Sequence, residues 1–186
     1  SLLGGMVEAP VHFGNDANAA ALGEYLAGGY NVKSFVMITL GTGIGSGIIL
    51  DGKLIKGINY AASELGHTVI KLGGEQCTCG RKGCFEAYAS ATALIRDTRR
   101  LLLKRSNAVE SMHNNVGNML ERSEIWKLCD GDVGKIEAKH VFDAVKHEDE
   151  LAKELFWNYT EYLAEGIANI INILQPELVC IGGGVS

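Results

Sequence analysis

Apolar and polar positions along this 186-residue chain follow the helical and strand periods in turn. A short apolar run, Val11 to Phe13, leads to Asn15 and Asp16, both good helix N-caps. Ala17 to Ala27 is rich in alanine and leucine and predicts a helix that stops at Gly28-Gly29. Phe35 to Leu40 and Ile44 to Leu50 read as strands of a hairpin that turns at Gly41 to Gly43. Asp51-Gly52 is a second turn signal, leading into a short strand at Lys53 to Ile55. "HTVIKL" reads as another strand and "CFEAYASATALIRDTRRLLLK" as one helix. Residues 105 to 135 are polar and broken by glycine and asparagine, which predicts a loop with a short helix around Met119 to Leu128. "AKHVFDAVKHED" is an amphipathic helix. The longest helix spans about Glu148 to Leu174. Its Leu155, Tyr159, Leu163, Ile167, Ile170 and Leu174 step by three and four and make one buried stripe. Pro176 stops it, and "ELVCIGGGVS" reads as a buried strand running into a glycine turn.

Composition narrows the classes. A hydrophobic content of 47% suffices for one domain with a sizeable core, or two small ones. A net charge of −5 does not favour nucleic-acid phosphates, and no basic run suggests a membrane-surface patch. No apolar stretch reaches the ~18 residues of a membrane span. "SLLGGMVEAP" lacks the basic start of a signal peptide. The expected location is therefore the cytoplasm. There thiols stay reduced, and clustered cysteines bind metal or do redox chemistry more often than they pair. A glycine turn after a buried strand usually opens a helix, whose N-terminus binds phosphate. Here the sequence stops at Ser186, and its start is equally abrupt. The expectation is a piece of a longer protein that ends inside a site.

Four groups of residues carry candidate chemistry. Cys77, Cys79 and Cys84 have the spacing C-x-C-x4-C, with His67 ten residues upstream. Three cysteines and a histidine are a standard structural Zn²⁺ set, and Gly80 and Gly83 let the backbone turn tightly between the thiolates. The bland alternative is three cysteines without a metal. Cys129 and Cys180 are isolated, and Cys180 reads as plain core. In "GNDANAAALGE", Asn15 or Asp16 either caps the helix or, for Asp16, acts as a general base toward a substrate hydroxyl. In "LGTGIGSG", the backbone N–H groups around Thr42 either face an anion or simply close a hairpin. Glu64, three residues before His67, is placed to support the metal histidine or to accept hydrogen bonds from a polyol. Glu86 is placed as a favourable first-turn charge. His12, His113, His140 and His147 read as ordinary residues.

"NDANAAALGE", "LGTGIGSGII", "ELGH", "CTCGRKGCFEAYAS" and "IGGGVS", in this order, resemble the ROK family of bacterial sugar kinases and sugar-responsive repressors. The match runs from about Pro10 to the last residue and weakens across 105 to 135; it is strongest toward glucokinase-like members. The resemblance implies an α/β, actin/hexokinase-like (ribonuclease H-like) fold, with this chain mostly the larger lobe and carrying a structural zinc loop. Residues 1–15 and 175–186 would border the cleft to the nucleotide-binding small lobe. Asp16 then looks like the catalytic base. Asn15, Asp16, Glu64, His67 and Glu86 look like sugar ligands. Gly41, Thr42 and Gly43 look like a phosphate loop, and Gly182, Gly183 and Gly184 like part of the nucleotide turn. His67, Cys77, Cys79 and Cys84 look like the zinc ligands. The implied partners are a hexose, ATP and Mg²⁺, with a homodimer as the common assembly. No membrane is involved, and no nucleic acid unless an upstream helix-turn-helix makes the protein a repressor. Two departures stand out. Ser63 replaces a usual glycine, and the family's Asp-x-Gly-x-Thr phosphate motif is absent, so the chain alone is expected to have little kinase activity.

Overall fold

The computed structural model describes residues 6, 10–11, 14–111 and 123–185, with 106–111 in backbone alone. His12, Phe13, His113, Ser186 and the first part of the helix expected around Met119 lie outside these residues.

Helix α1 (Asp16–Ala27) starts where Asn15, in extended backbone, accepts the Asn18 N–H on its side chain at 3.0 Å. The choice of cap left open by the sequence thus falls on Asn15. Strands β1 (Phe35–Leu40) and β2 (Ile44–Leu50) form the expected antiparallel hairpin, with Leu40 opposite Ile44. β3 (Lys53–Leu54) pairs with β2, and β4 (Leu178–Gly182) pairs parallel with β1. The sheet order is β3-β2-β1-β4.

Period-two alternation on β1 decides which layer each residue meets. Phe35 joins Ala21 and Ile49 beneath α1. Val36, Ile38 and Leu40 point the other way, into the main core. That core is closed by Phe85, by Leu94 and Leu102 of α3 (Ala91–Ser111), and by Leu155, Tyr159 and Ile170 further along the chain. The last three lie on the longest helix, Glu150–Leu174, which follows two shorter ones, α4 (Glu124–Leu128) and α5 (Ala138–Lys146). We label it α6. Its stripe is as expected in direction, with Leu163, Ile167 and Leu174 only half-buried. Among the described residues no helix is long and apolar enough to cross a membrane.

Five expectations change. "HTVIKL" is not a strand: Leu65–His67 is a 3-10 turn, and Val69 makes one isolated bridge, to Cys84. The reason is local. The carbonyl of Gly83 takes the N–H groups of both Ile70 and Lys71, which bends this segment around the cysteine loop. The helix from Cys84 onward is broken at Ser90, which is extended at φ −98°. Glu86–Ala89 (α2) is separate, and the Ser90 hydroxyl caps α3 by accepting the Ala93 N–H at 3.1 Å. The amphipathic helix ends at Lys146, three residues early, and α6 starts at Glu150, two residues late, behind the Asp149 cap. The third strand ends at Leu54, one residue early. Finally, β4 and Cys180 are half-buried, not core, because β4 has a neighbour only on its β1 side among the described residues.

Candidate functional site

The cysteine loop folds as a cage. One ligand atom each from His67, Cys77, Cys79 and Cys84 lies within 4.8 Å of every other. The Cys79 and Cys84 sulfurs are 3.7 Å apart, and Cys77 Sγ is 3.5 Å from His67 Nδ1. Tetrahedral zinc with Zn–S of about 2.3 Å and Zn–N of about 2.0–2.1 Å requires edges of about 3.8 Å and 3.6 Å. The donor set and its spacing therefore fit Zn²⁺. Burial, followed by hydrogen bonding with the thiols of Cys79 and Cys77, pushes the Cys84 thiol up to about 12. The Arg81 backbone N–H, ahead of the neighbouring thiols, lowers Cys79. A buried thiol held protonated in this way is the kind of group a divalent cation converts to thiolate.

The turn that carries Glu64 and His67 is seated on the start of β2. Gly66 is buried there, and a Cβ would collide with the Ile44 carbonyl oxygen. The buried Ser46 hydroxyl donates to the Ser63 carbonyl and accepts the Leu65 N–H at 3.1 Å. Glu64 itself is exposed. Glu86 reaches the same place from the other side: its Oε2 accepts the Ile44 N–H at 3.0 Å. Its Oε1 accepts the Thr78 hydroxyl at 3.2 Å and lies 4.0 Å from His67 Nδ1. So Glu86, by its hydrogen bond, and Gly66, by its close packing between Glu64 and His67, meet at one residue, Ile44, immediately after the Gly41-Thr42-Gly43 turn.

That turn is closed on itself, with Gly41 N–H donating to Gly43 O at 3.0 Å. The N–H groups of Thr42 and Gly43 have no acceptor among the described residues, so two donors are available to an anion. Gly182 pairs with Thr39, which puts the Gly182 to Gly184 turn beside it at the carboxyl ends of two parallel strands. Ligands of open α/β sheets bind at such ends. A cleft of about 360 Å³, lined by Thr42, Gly43, Thr78, Glu86 and Thr92, separates the turn from the cysteine loop. A larger cavity of about 960 Å³ between α3 and α6 contains none of the candidate residues.

Asp16 is exposed at the first turn of α1, with Oδ1 accepting the Ala17 N–H at 2.9 Å. Ala17 packs against Gly45, so the carboxylate stands at the turn end of the sheet. Among the described residues neither Asn15 nor Asp16 hydrogen-bonds to Glu64, His67 or Glu86. The residues missed from sequence are Ser46 and Thr78. Their hydroxyls gain meaning only from partners 17 and 19 residues removed for Ser46 and, for Thr78, 8 residues removed across the cysteine loop.

A family model described as ROK family matches residues 2–186. The chain belongs to the ROK family. The glucokinase of Halalkalibacterium halodurans is 41% identical over 180 residues, covering 95% of this chain and 49% of that protein. A ROK family glucokinase from Streptomyces griseus, solved with glucose and AMPPNP, matches with a TM-score of 0.81 at 37% identity, covering 97% of this chain and 54% of that one. The xylose repressor of Caldicellulosiruptor bescii is 33% identical over 178 residues, covering 95% of this chain and 40% of the repressor. The chain thus spans about half the length of the curated relatives it matches. The mixed α/β architecture is the actin/hexokinase-like one the ROK motifs implied. Ser63, the position where the resemblance leads one to expect glycine, has φ +69°, a left-handed conformation that glycine adopts most easily.

Proposed function

We propose that this chain is part of an ATP-dependent hexose kinase that phosphorylates the 6-hydroxyl of a glucose-like sugar. It supplies mainly the sugar-binding lobe, with residues 1–15 and 175–186 bordering the nucleotide cleft. The observation that carries the reading is the convergence at Ile44. Glu86, a candidate sugar ligand, is hydrogen-bonded to the residue that follows the candidate phosphate turn, and the Glu64–His67 turn packs on that same residue through Gly66. Asn15, Asp16, Glu64, His67 and Glu86 offer carboxylates, an amide and an imidazole, a set suited to a polyol and able to reject analogues lacking a hydroxyl. Asp16 is exposed at a rigid helix start, so it is available to take the hydroxyl proton as the bond to phosphorus forms. The Thr42 and Gly43 N–H groups, with Gly182 to Gly184, would face the phosphates; Mg²⁺ brought with ATP neutralises their charge. Zinc held by His67, Cys77, Cys79 and Cys84 would be structural. His67 Nδ1 is the ring nitrogen beside Cys77 Sγ, so with Nδ1 as the ligand atom Nε2 would be left for a sugar hydroxyl.

The similarity to a xylose repressor supports a second reading, a sugar-sensing domain. The intact Gly41-Thr42-Gly43 turn with its two available donors favours the kinase. A coupled ADP-release assay on the full-length protein with a panel of hexoses separates the two. Sugar-dependent turnover is expected; sugar binding without turnover would establish the sensor instead.

A further inference from the structure

We infer that Thr78 and Glu86 tie the cysteine loop to the Gly41-Thr42-Gly43 turn, making Thr78 a positioning residue for the nucleotide phosphates. The inference rests on the kinase reading. It extends the reach of the metal loop from the sugar to the other substrate.

The link runs through one carboxylate, whose Oε1 also lies 3.5 Å from the Cys77 thiol; with that sulfur committed to the metal cage, Thr78 is the hydroxyl donor that remains. Thr78, between the metal-site cysteines 77 and 79, donates its hydroxyl to Glu86 Oε1 at 3.2 Å. Glu86 Oε2 accepts the N–H of Ile44, the first residue after the turn, at 3.0 Å. Gly43 is what permits this approach, because a Cβ there would occupy the position of the Glu86 carboxylate oxygen. The residues that follow Glu86 grip the turn from its carbonyl side. Ala91 N–H donates to Gly41 O at 2.9 Å, and the Thr92 hydroxyl to Thr42 O at 2.7 Å. One stretch, Cys84 to Thr92, therefore carries a metal-site thiol and three separate anchors on the turn. With Ile44 N–H and the turn's carbonyls held, the Thr42 and Gly43 N–H groups keep a fixed direction. Preorganised donors of this kind are what phosphate binding needs. The Glu86 carboxylate is the part of this chain of contacts that the loop can move, and Thr78 sets its orientation. Thr78 is exposed, so its hydroxyl does not fill the core.

Isothermal titration of the full-length protein with AMPPNP and Mg²⁺, and separately with glucose, tests the link. Thr78→Val removes the donor and keeps the shape; nucleotide affinity should fall by about three- to tenfold. Thr78→Ser should retain near-normal affinity. Zinc content, by elemental analysis, should be unchanged in both. Should Thr78→Val not fold, Thr78→Ala carries the same expectation. Unchanged AMPPNP affinity in the valine variant overturns the inference while leaving the kinase reading intact. So does an effect on glucose alone, since Glu86 would then serve only the sugar. Loss of zinc from the valine variant also overturns it, because the hydroxyl would be acting by retaining the metal. A wild-type protein that binds glucose but no AMPPNP removes the kinase reading and the inference together.

Discussion

His67 Nδ1 lies 3.5 Å from Cys77 Sγ, which places Nε2 on the opposite edge of the ring, away from the thiols. One imidazole thus belongs to both the metal cage and the proposed sugar site. Purified protein should contain about one zinc per chain. Cys79→Ser should weaken zinc binding by more than the roughly 10–100-fold lost when an outer partner of a metal ligand is removed. Competition with a chromophoric chelator measures this. A folded wild-type protein free of metal would refute the cage.

Asp16 stands at the first turn of α1 with its carboxylate exposed. In the full-length protein Asp16→Asn should lower kcat by about 10²–10⁴-fold, the usual contribution of a general base, with a much smaller change in sugar KM. The helix itself should survive, because Asn15 supplies the cap. Near-normal turnover would show that another group takes the proton.

Gly66 has no room for a side chain against the Ile44 carbonyl. Gly66→Ala should destabilise by about 1–3 kcal/mol, the usual cost of overpacking. It should also displace Glu64 and His67 together. Thermal denaturation checks the first outcome, and sugar affinity of the folded fraction the second.

Glu75 fastens the cysteine loop to α3 through Arg100 at 2.6 Å and Arg96 at 3.8 Å. The hydrogen bond from Arg100 outweighs burial and holds the Glu75 carboxyl below its usual range. A depressed carboxyl stabilises the fold above its unfolded value, and that stabilisation is lost as pH falls through the folded one. Glu75→Gln should therefore cost at most about 1 kcal/mol at pH 7, since Arg100 is 57% exposed and screened by water. The difference from wild type should shrink as pH falls below the ordinary glutamate value of about 4.3 and vanish only below the depressed folded value. Urea denaturation at several pH values would reveal it, and a constant difference would discount the pair.

Much of the local structure was legible in advance. Alanine and leucine after Asn15 make a helix wherever they sit, and the Gly41 to Gly43 hairpin follows from alternating strands around a turn. The spacing of the three cysteines with local glycines was enough to nominate a metal cage that the fold closes to within 4.8 Å. The segment after His67 has the hydrophobicity of a strand, yet the N–H groups of Ile70 and Lys71 are taken by Gly83 across the cysteine loop. Ser90 gives no local sign of a break, because serine is tolerated inside helices; only its hydroxyl, accepting the Ala93 N–H, makes it a cap.

By itself the sequence determined the first and longest helices, the hairpin, a candidate metal-ligand set and the family resemblance, since periodicity, caps and ordered motifs are written in neighbouring residues. Only the tertiary structure decided that Glu86 spans from Thr78 to Ile44, 42 residues away, and that Gly66 seats His67 on the same strand. A carboxylate on a short helix has many rotamers and no partner inscribed beside it. Its role emerges when the packing of α2 against α3 and α6 brings one backbone N–H and one hydroxyl within reach.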